Sequence, residues 1–341
     1  MEISLLAPSL EKQWDEFIAS SPEATLAHEL GWRNVVERTY HHTPFYLMAH
    51  QQGVLCGLLP LFLIKSRIFG RILATAPYLS FGGLLANNAG IARHLIDAAQ
   101  QLCLTERAKY VEVRGMTRAD ERLFLKDKYC TAILRLAPDP DTLWSKFESR
   151  ARKAIRKAIK SELQVESGHH LLDVFTEVIS QHKQELGTPF HRANFYRQIL
   201  TEFPSPAEIL MVHRDGQYVG GLLLVGSKDT VLPLYGGILK QYHGYSGMSL
   251  LIWETIRYGC EHGFSYLDLG RSQWGSGTLM FKRQWRAVAS PLFYEYYLPK
   301  DGSLPDLDPL NPKYQLASAV WKRLPLLAVK ALGPCIIRGI P

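Results

Sequence analysis

Residues 231–297 read VLPLYGGILKQYHGYSGMSLLIWETIRYGCEHGFSYLDLGRSQWGSGTLMFKRQWRAVASPLFYEYY. An apolar run, Val231–Leu239, carries Tyr235-Gly236-Gly237, and a polar loop with glycines at Gly244 and Gly247 follows. Next come a helical stretch, Met248–His262, and a short strand, Tyr266–Leu269, which empties into a second glycine loop, Gly270-Arg271-Ser272. The basic-aromatic run Phe281-Lys282-Arg283-Gln284-Trp285-Arg286 completes the unit. Strand, glycine loop, helix and strand in this order present helix N-terminal N–H groups to an anionic ligand.

The same order occurs earlier in the chain. Leu47-Met48-Ala49-His50-Gln51-Gln52-Gly53 matches Leu210-Met211-Val212-His213-Arg214-Asp215-Gly216, and Gly57 matches Gly220, at an offset of 163. Phe81-Gly82-Gly83-Leu84-Leu85 matches Tyr235-Gly236-Gly237-Ile238-Leu239 at 154, and Tyr110-Val111-Glu112-Val113 matches Tyr266-Leu267-Asp268-Leu269 at 156. Any one of these matches is ordinary hairpin chemistry. Three in the same order at nearly constant offset predict two fused copies of one hairpin–strand–helix–strand unit. The expected domains are 1–138 and 139–300, followed by a helical tail over 301–341.

The flanking segments fit this plan. Helices are expected around Glu11–Ser20, Leu30–Tyr40 and Gly90–Arg107, strands at Phe45–His50, Val54–Ile64, Tyr110–Arg114 and Ala132–Leu136, and one or two strands over Arg71–Leu85. Pro299–Pro312 reads as a loop, and Lys313–Leu332 as an amphipathic helix interrupted at Pro325.

The 341 residues carry 39 Lys and Arg against 32 Asp and Glu, a net charge of +7, which suits an anionic partner. Five scattered cysteines without a C-x-x-C pair point to reduced thiols in a cytoplasmic setting, not to a disulfide framework or zinc knuckle. The longest apolar run, Val54–Ile64, falls short of the ~20 residues a bilayer crossing takes, and no signal-peptide pattern opens the chain. Between the copies, Arg150, Arg152, Lys153, Arg156, Lys157 and Lys160 fall on a helix with no acid nearby, opposite Ala151, Ile155, Ala158 and Ile159. A solvated surface helix and an anion-binding helix both fit that pattern. In the tail, Trp321, Lys322, Arg323, Lys330 and Arg338 among apolar residues suit either docking on the protein's own body or peripheral contact with an inner-membrane surface.

The basic helix Arg150–Lys160, then Tyr235-Gly236-Gly237, Leu267-Asp268-Leu269-Gly270-Arg271-Ser272, Gly277 and Phe281-Lys282, resemble the C-terminal half of FemAB-like transferases. The tail segments Asn311-Pro312-Lys313-Tyr314, Trp321-Lys322-Arg323-Leu324-Pro325 and Leu332-Gly333-Pro334 resemble the branch associated with exosortase/PEP-CTERM exopolysaccharide systems. The resemblance implies an α/β (α+β) fold of two fused GNAT-like domains, each a mixed, largely antiparallel sheet flanked by helices. It also implies acyl transfer: members of the family move an amino acid from aminoacyl-tRNA to an amine of a peptidoglycan precursor. An acyl-CoA donor is the alternative, and Gln241-Tyr242-His243-Gly244-Tyr245-Ser246 departs from the Arg/Gln-x-x-Gly-x-Gly/Ala coenzyme A loop at Ser246.

Acyl transfer to an amine needs a deprotonated nucleophile, a stabilised oxyanion and a protonated leaving group. No G-x-S-x-G elbow, catalytic cysteine motif or metal-ligand spacing occurs, so direct attack on an activated donor is the expected mechanism, with no permanently bound cofactor and no metal. Lys282 is the expected stabiliser of the oxyanion or of a donor phosphate, Tyr235 a hydroxyl beside the leaving group, and Asp268 a base or a structural partner of Arg271. Arg271, Ser272, Gly244, Gly247, Arg152 and Arg156 are expected on the anionic donor, and Arg192 near the acceptor, where relatives hold theirs. The acceptor is expected to be a cell-envelope precursor or exopolysaccharide intermediate; tRNA is an expected partner and DNA is not. A non-catalytic module that binds tRNA, nucleotide-sugar or polysaccharide through the same surface is the rival reading.

Overall fold

The computed structural model describes residues 1–66, 69–299 and 312–341. They fall into two compact units, one of Met1–Tyr129, Pro291–Asp306 and Arg338–Pro341, the other of Cys130–Ser290 and Leu307–Ile337.

The first unit contains β1 (Glu2–Leu5), α1 (Glu11–Ser20), α2 (Leu30–Tyr40), β2 (Thr43–Gln51), β3 (Val54–Ser66), β4 (Gly70–Ala74), β5 (Leu85–Ala86), α3 (Ala89–Thr105) and β6 (Val111–Gly115). Strand β7 (Phe124–Arg135) starts in it and ends in the second unit. The second unit continues with α4 (Pro140–Lys146), α5 (Ser149–Lys160), β8 (Gln164–Ser167), α6 (Leu172–Leu186), α7 (Ala193–Glu202), β9 (Ala207–Arg214), β10 (Gln217–Ser227), β11 (Thr230–Ile238), α8 (Gly247–Glu261), β12 (Tyr266–Gln273) and α9 (Gly277–Arg283). Strand β13 (Val288–Tyr297) returns to the first unit, and α10 (Pro312–Trp321) and α11 (Leu326–Ile337) belong to the second.

Within the first unit the strand order is β1-β2-β3-β4-β6-β13, with β5 on β3; within the second it is β7-β12-β11-β10-β9-β8. The runs β1-β2-β3-β4 and β8-β9-β10-β11 are antiparallel, whereas β4–β6 and β11–β12 are parallel. The duplication is therefore present in the register. Ala49 faces Gly57 and His50 faces Leu55, leaving Cys56 as a bulge; Val212 faces Gly220 and His213 faces Tyr218, leaving Val219 as the corresponding bulge 163 residues later. Both hairpins close on two residues with positive φ, Gln52-Gly53 (52° and 78°) and Asp215-Gly216 (50° and 75°), the backbone a two-residue type I′ turn requires.

One expected correspondence shifts. Leu58 pairs with Leu85 and Gly221 with Gly237, so Leu85 is equivalent to Gly237, not to Leu239. The spacing differs because the first unit inserts an irregular loop, residues 75–84, where the second has one continuous bulged strand. Of the one or two strands expected over Arg71–Leu85, the structure has two short ones, β4 and β5.

Each unit has its own core. In the first, Ile91, Leu95, Ile96, Ala99 and Cys103 of α3 pack on Leu59, Leu61 and Leu63 of β3 and Val111 and Val113 of β6. In the second, α8 lies over the sheet through Leu250, Leu251, Ile252 and Ile256, and α5 adds Ala151, Ile155 and Ala158. Ile159, expected on that buried face, is instead 58% exposed, because 3.6 residues per turn carry it past the edge of the stripe. Trp285 of the basic-aromatic run is fully buried, edge-on to Phe147 and Phe281.

Candidate active site of the second unit

Strands β11 and β12 start side by side and then part. Their parallel ladder is two pairs long, Thr230–Tyr266 and Val231–Leu267, although β11 continues to Ile238 and β12 to Gln273. On its other side β11 is bulged: Leu223 faces Tyr235 and Leu224 faces Pro233, so Leu234 is unpaired in that ladder. An extra residue bends a strand and raises its local twist, which turns β11 away from β12.

The equivalent opening in the first unit is filled by its own chain. There the parallel ladder is again two pairs, Leu73–Val111 and Ala74–Glu112. Beyond it, loop 75–84 is stitched onto β6: Gly82 N–H donates to Arg114 O (3.1 Å), Arg114 N–H to Thr75 Oγ1 (3.0 Å) and the Arg114 guanidinium to Leu79 O (3.1 Å). A Cβ on Gly83 would stand 2.6 Å from Arg114 O, so the loop backbone sits flush against the strand.

On the β12 wall of the open site, Asp268 and Lys282 are both buried. One Asp268 oxygen accepts from Thr131 Oγ1 of β7 and from Gly270 N–H (2.8 Å), an arrangement that fixes the glycine turn, where Gly270 has a φ of 78°. Lys282 reaches back from α9 and donates to Gly270 O (2.7 Å) and Arg271 O (3.0 Å). Two of its three donors are thus committed to backbone, and the third remains. Burial pushes the Lys282 ammonium down to about 8, against the pull of Asp268 and Cys130. Burial likewise pushes the Asp268 carboxyl up, opposed by the bonds from Thr131 and Gly270 and by the Lys282 charge. Ser272 is buried with its hydroxyl unpartnered, and Arg271 is exposed.

On the β11 wall, Tyr235 stands in a ring cluster with His191 (5.1 Å), Phe195 (5.5 Å) and Tyr196 (5.6 Å), each edge-on. Residue 191, and not the exposed Arg192, turns inward, because Arg192 is the N-cap of α7 and its carbonyl receives Phe195 N–H. Burial, with the charge of Lys183, pushes His191 down to about 3, so its ring is neutral at ordinary pH. The C-terminal turn of α6 closes this side: a Cβ on Gly237 would stand 2.1 Å from the His182 ring, and burial also lowers Lys183. His182 and Lys183 were not legible in the sequence; a glycine pair in a strand opposite an amphipathic helix does not say which helical side chain fills the space.

The loop between β11 and α8 is a short 3-10 helix, Lys240–Tyr245, held by Lys240 N–H to Glu185 Oε2 (2.9 Å) and the His243 ring to Ile238 O (2.9 Å). Ser246 has a φ of 63° and leads into α8 at Gly247, and Gly244 has open space where a side chain would be. The helix N-terminus here leaves orphan N–H groups, as any helix does.

The basic helix is less uniform than its sequence. Arg152 is half-buried and donates to Trp144 O (3.3 Å) and Ser145 O (2.9 Å), capping the end of α4. Arg156 lies over the Trp144 ring at 5.6 Å. Arg150, Lys153, Lys157 and Lys160 are exposed, with no ion pair among the described residues. No group of three or more His, Cys, Asp or Glu with metal-binding geometry occurs among the described residues.

Residues 145–283 match the family described as acetyltransferase (GNAT) domain. No curated protein matches the chain in sequence. Among solved structures, FemX superposes with a TM-score of 0.68 at 16% identity, covering 93% of this chain and 100% of its own. A tandem GNAT protein from the clavulanic acid biosynthesis pathway has a TM-score of 0.60 at 13% identity over 88% of this chain and 99% of its own. L-PGS from Bacillus licheniformis has a TM-score of 0.55 at 14% identity over 94% and 99%. With its duplicated register, the twice-splayed strand pair and a GNAT-domain match over the second copy, the chain has the FemAB-like tandem GNAT fold.

Proposed function

We propose that the second unit transfers an acyl or aminoacyl group from an activated donor to a nucleophile by direct attack. The observation that carries this reading is the parting of β11 from β12 beside the Leu234 bulge, inside the segment that matches the GNAT domain. The acceptor amine attacks the donor carbonyl, a C–N bond forms, and the C–S bond of a thioester or the C–O bond of an aminoacyl ester breaks. The amine loses a proton and the departing thiolate or alkoxide gains one. In this scheme the free donor of Lys282 meets the oxyanion, Tyr235 serves the leaving group, and Asp268 acts by holding the turn that aims Lys282. Arg271, Ser272 and the backbone at Gly244 and Gly247 take the anionic part of the donor, and His191 with Arg192 borders the acceptor. The acceptor class proposed is an envelope or polysaccharide precursor.

The test offers acyl-CoA and aminoacyl-tRNA separately with cell-envelope precursors, following free thiol or deacylated tRNA. Acceptor-dependent turnover of either donor is the expected result; turnover of neither would leave a binding module. A pH profile checks the assignment of Lys282. If the ammonium is the working form, activity falls as pH rises through about 8, because the charged fraction is lost there. Lys282→Arg, which stays charged, should lose that alkaline limb.

The exposed cations of α5 favour the tRNA donor, since Arg150 and Lys160 are ten residues apart, ~15 Å along the axis, longer than one pyrophosphate. Replacing Lys153, Lys157 and Lys160 by Gln should flatten the slope of log affinity against log salt for RNA by about 2 to 3. RNA binding that is weak, insensitive to salt and unchanged in the variant would point to acyl-CoA.

A further inference from the structure

We propose that the exposed faces of α10 and α11 form a docking surface for an anionic lipid bilayer. From residue 312 to 341 the sequence has five Lys and Arg and no Asp or Glu. One side of the pair is anchored on the second unit. Trp321 and Val329 pack with Phe190, Gln184 donates to Leu324 O (2.6 Å), and Lys330 pairs with Glu177. The other side is apolar and exposed among the described residues. Leu327 is 81% exposed, and with Ala331, Leu332 and Cys335 it occupies one sector of α11, opposite Val329 and Gly333. Leu316 and Val320 stand one turn apart on α10, 68% and 53% exposed, and the exposed Lys322 and Arg323 lie between the two helices.

A soluble face normally alternates such side chains with charges of both signs; this one pairs them with cations alone. Large aliphatic groups inserted at the headgroup boundary, flanked by positive charge, match an anionic bilayer in both chemistry and sign. No helix among the described residues is long and apolar enough to cross a membrane, so the contact proposed is peripheral. The anchoring residues Gln184 and Phe190 are chain neighbours of Lys183 and His191. A docked bilayer therefore lies beside the acceptor side of the site and suits a membrane-borne acceptor; that consequence rests on the acyl-transfer reading, whereas the docking does not.

The experiment is co-sedimentation of the full chain, without donor, with vesicles of phosphatidylcholine alone or mixed with phosphatidylglycerol. Binding to the mixed vesicles and not to the neutral ones is expected. Each cation at such a surface contributes about fivefold in partitioning, so Lys322→Gln with Arg323→Gln should weaken binding ~30-fold. Leu327→Gln with Leu332→Gln, both exposed and outside the cluster that anchors the tail, should weaken it as well while leaving thermal unfolding unchanged. Absence of binding, or equal binding to both vesicles, overturns the proposal. So does self-association in solution that the leucine substitutions abolish, since a second copy would then be the occupant.

Discussion

Lys282→Ala should lower turnover about 10²- to 10³-fold, the effect of removing one preorganised donor from a developing oxyanion. The side chain is 8% exposed, so its charge acts in a dry site and is held in place by Gly270 O and Arg271 O. Folding should survive, because burial already works against the ammonium. The linkage runs in one direction: with the folded pKa near 8 and the unfolded one at 10.5, the unfolded chain binds the extra proton between them. Lys282 thus detracts from stability below that window, and the deficit shrinks as pH rises through it. Lys282→Met keeps the apolar stem and should melt no lower than wild type by calorimetry. Full turnover in either folded variant would remove Lys282 from the mechanism and leave it as a brace of the β12 turn.

Glu112→Ala should destabilise the first unit by about 3–5 kcal/mol, measured as the change in urea unfolding free energy. Glu112 and Arg114 are 2% and 4% exposed, and the carboxylate also accepts the Tyr296 hydroxyl (3.0 Å). Removing the carboxylate strands a guanidinium that has Leu79 O and the Tyr294 ring as company but no countercharge. Removing both charges is a different matter, since a buried ion pair repays little more than its own desolvation. Glu112→Leu with Arg114→Met should therefore recover most of the loss. A loss below about 1 kcal/mol in the single variant would mean that water reaches the guanidinium.

Glu112 and Asp268 make an instructive pair, because they are equivalent residues of the two copies, 156 apart, Glu112 in the last pair of its parallel ladder and Asp268 one residue past the end of its own. Both are buried carboxylates, yet the first is neutralised by an arginine that ties down loop 75–84, whereas the second faces a lysine with a donor to spare. Duplication kept the scaffold and let the two sites diverge.

The sequence by itself determined the duplication and the class of fold. Hairpin turns need particular residues at positive φ, strands alternate and helices repeat, and those local demands fix Gln52-Gly53 and Asp215-Gly216 and place α1 and α2 to the residue. The glycine loops at Gly244–Gly247 and Gly270 were legible because such residues answer to backbone geometry within one segment, whereas Lys282 was singled out by its place in the Phe281-Lys282 pair. Tertiary structure alone decided which copy is open. Whether loop 75–84 folds back onto β6, whether Arg152 faces a ligand or caps α4, and whether His182 fills the space over Gly237 all depend on groups far away in sequence. Such choices are settled by which buried donors and acceptors find partners once the elements have packed, and no periodicity records that.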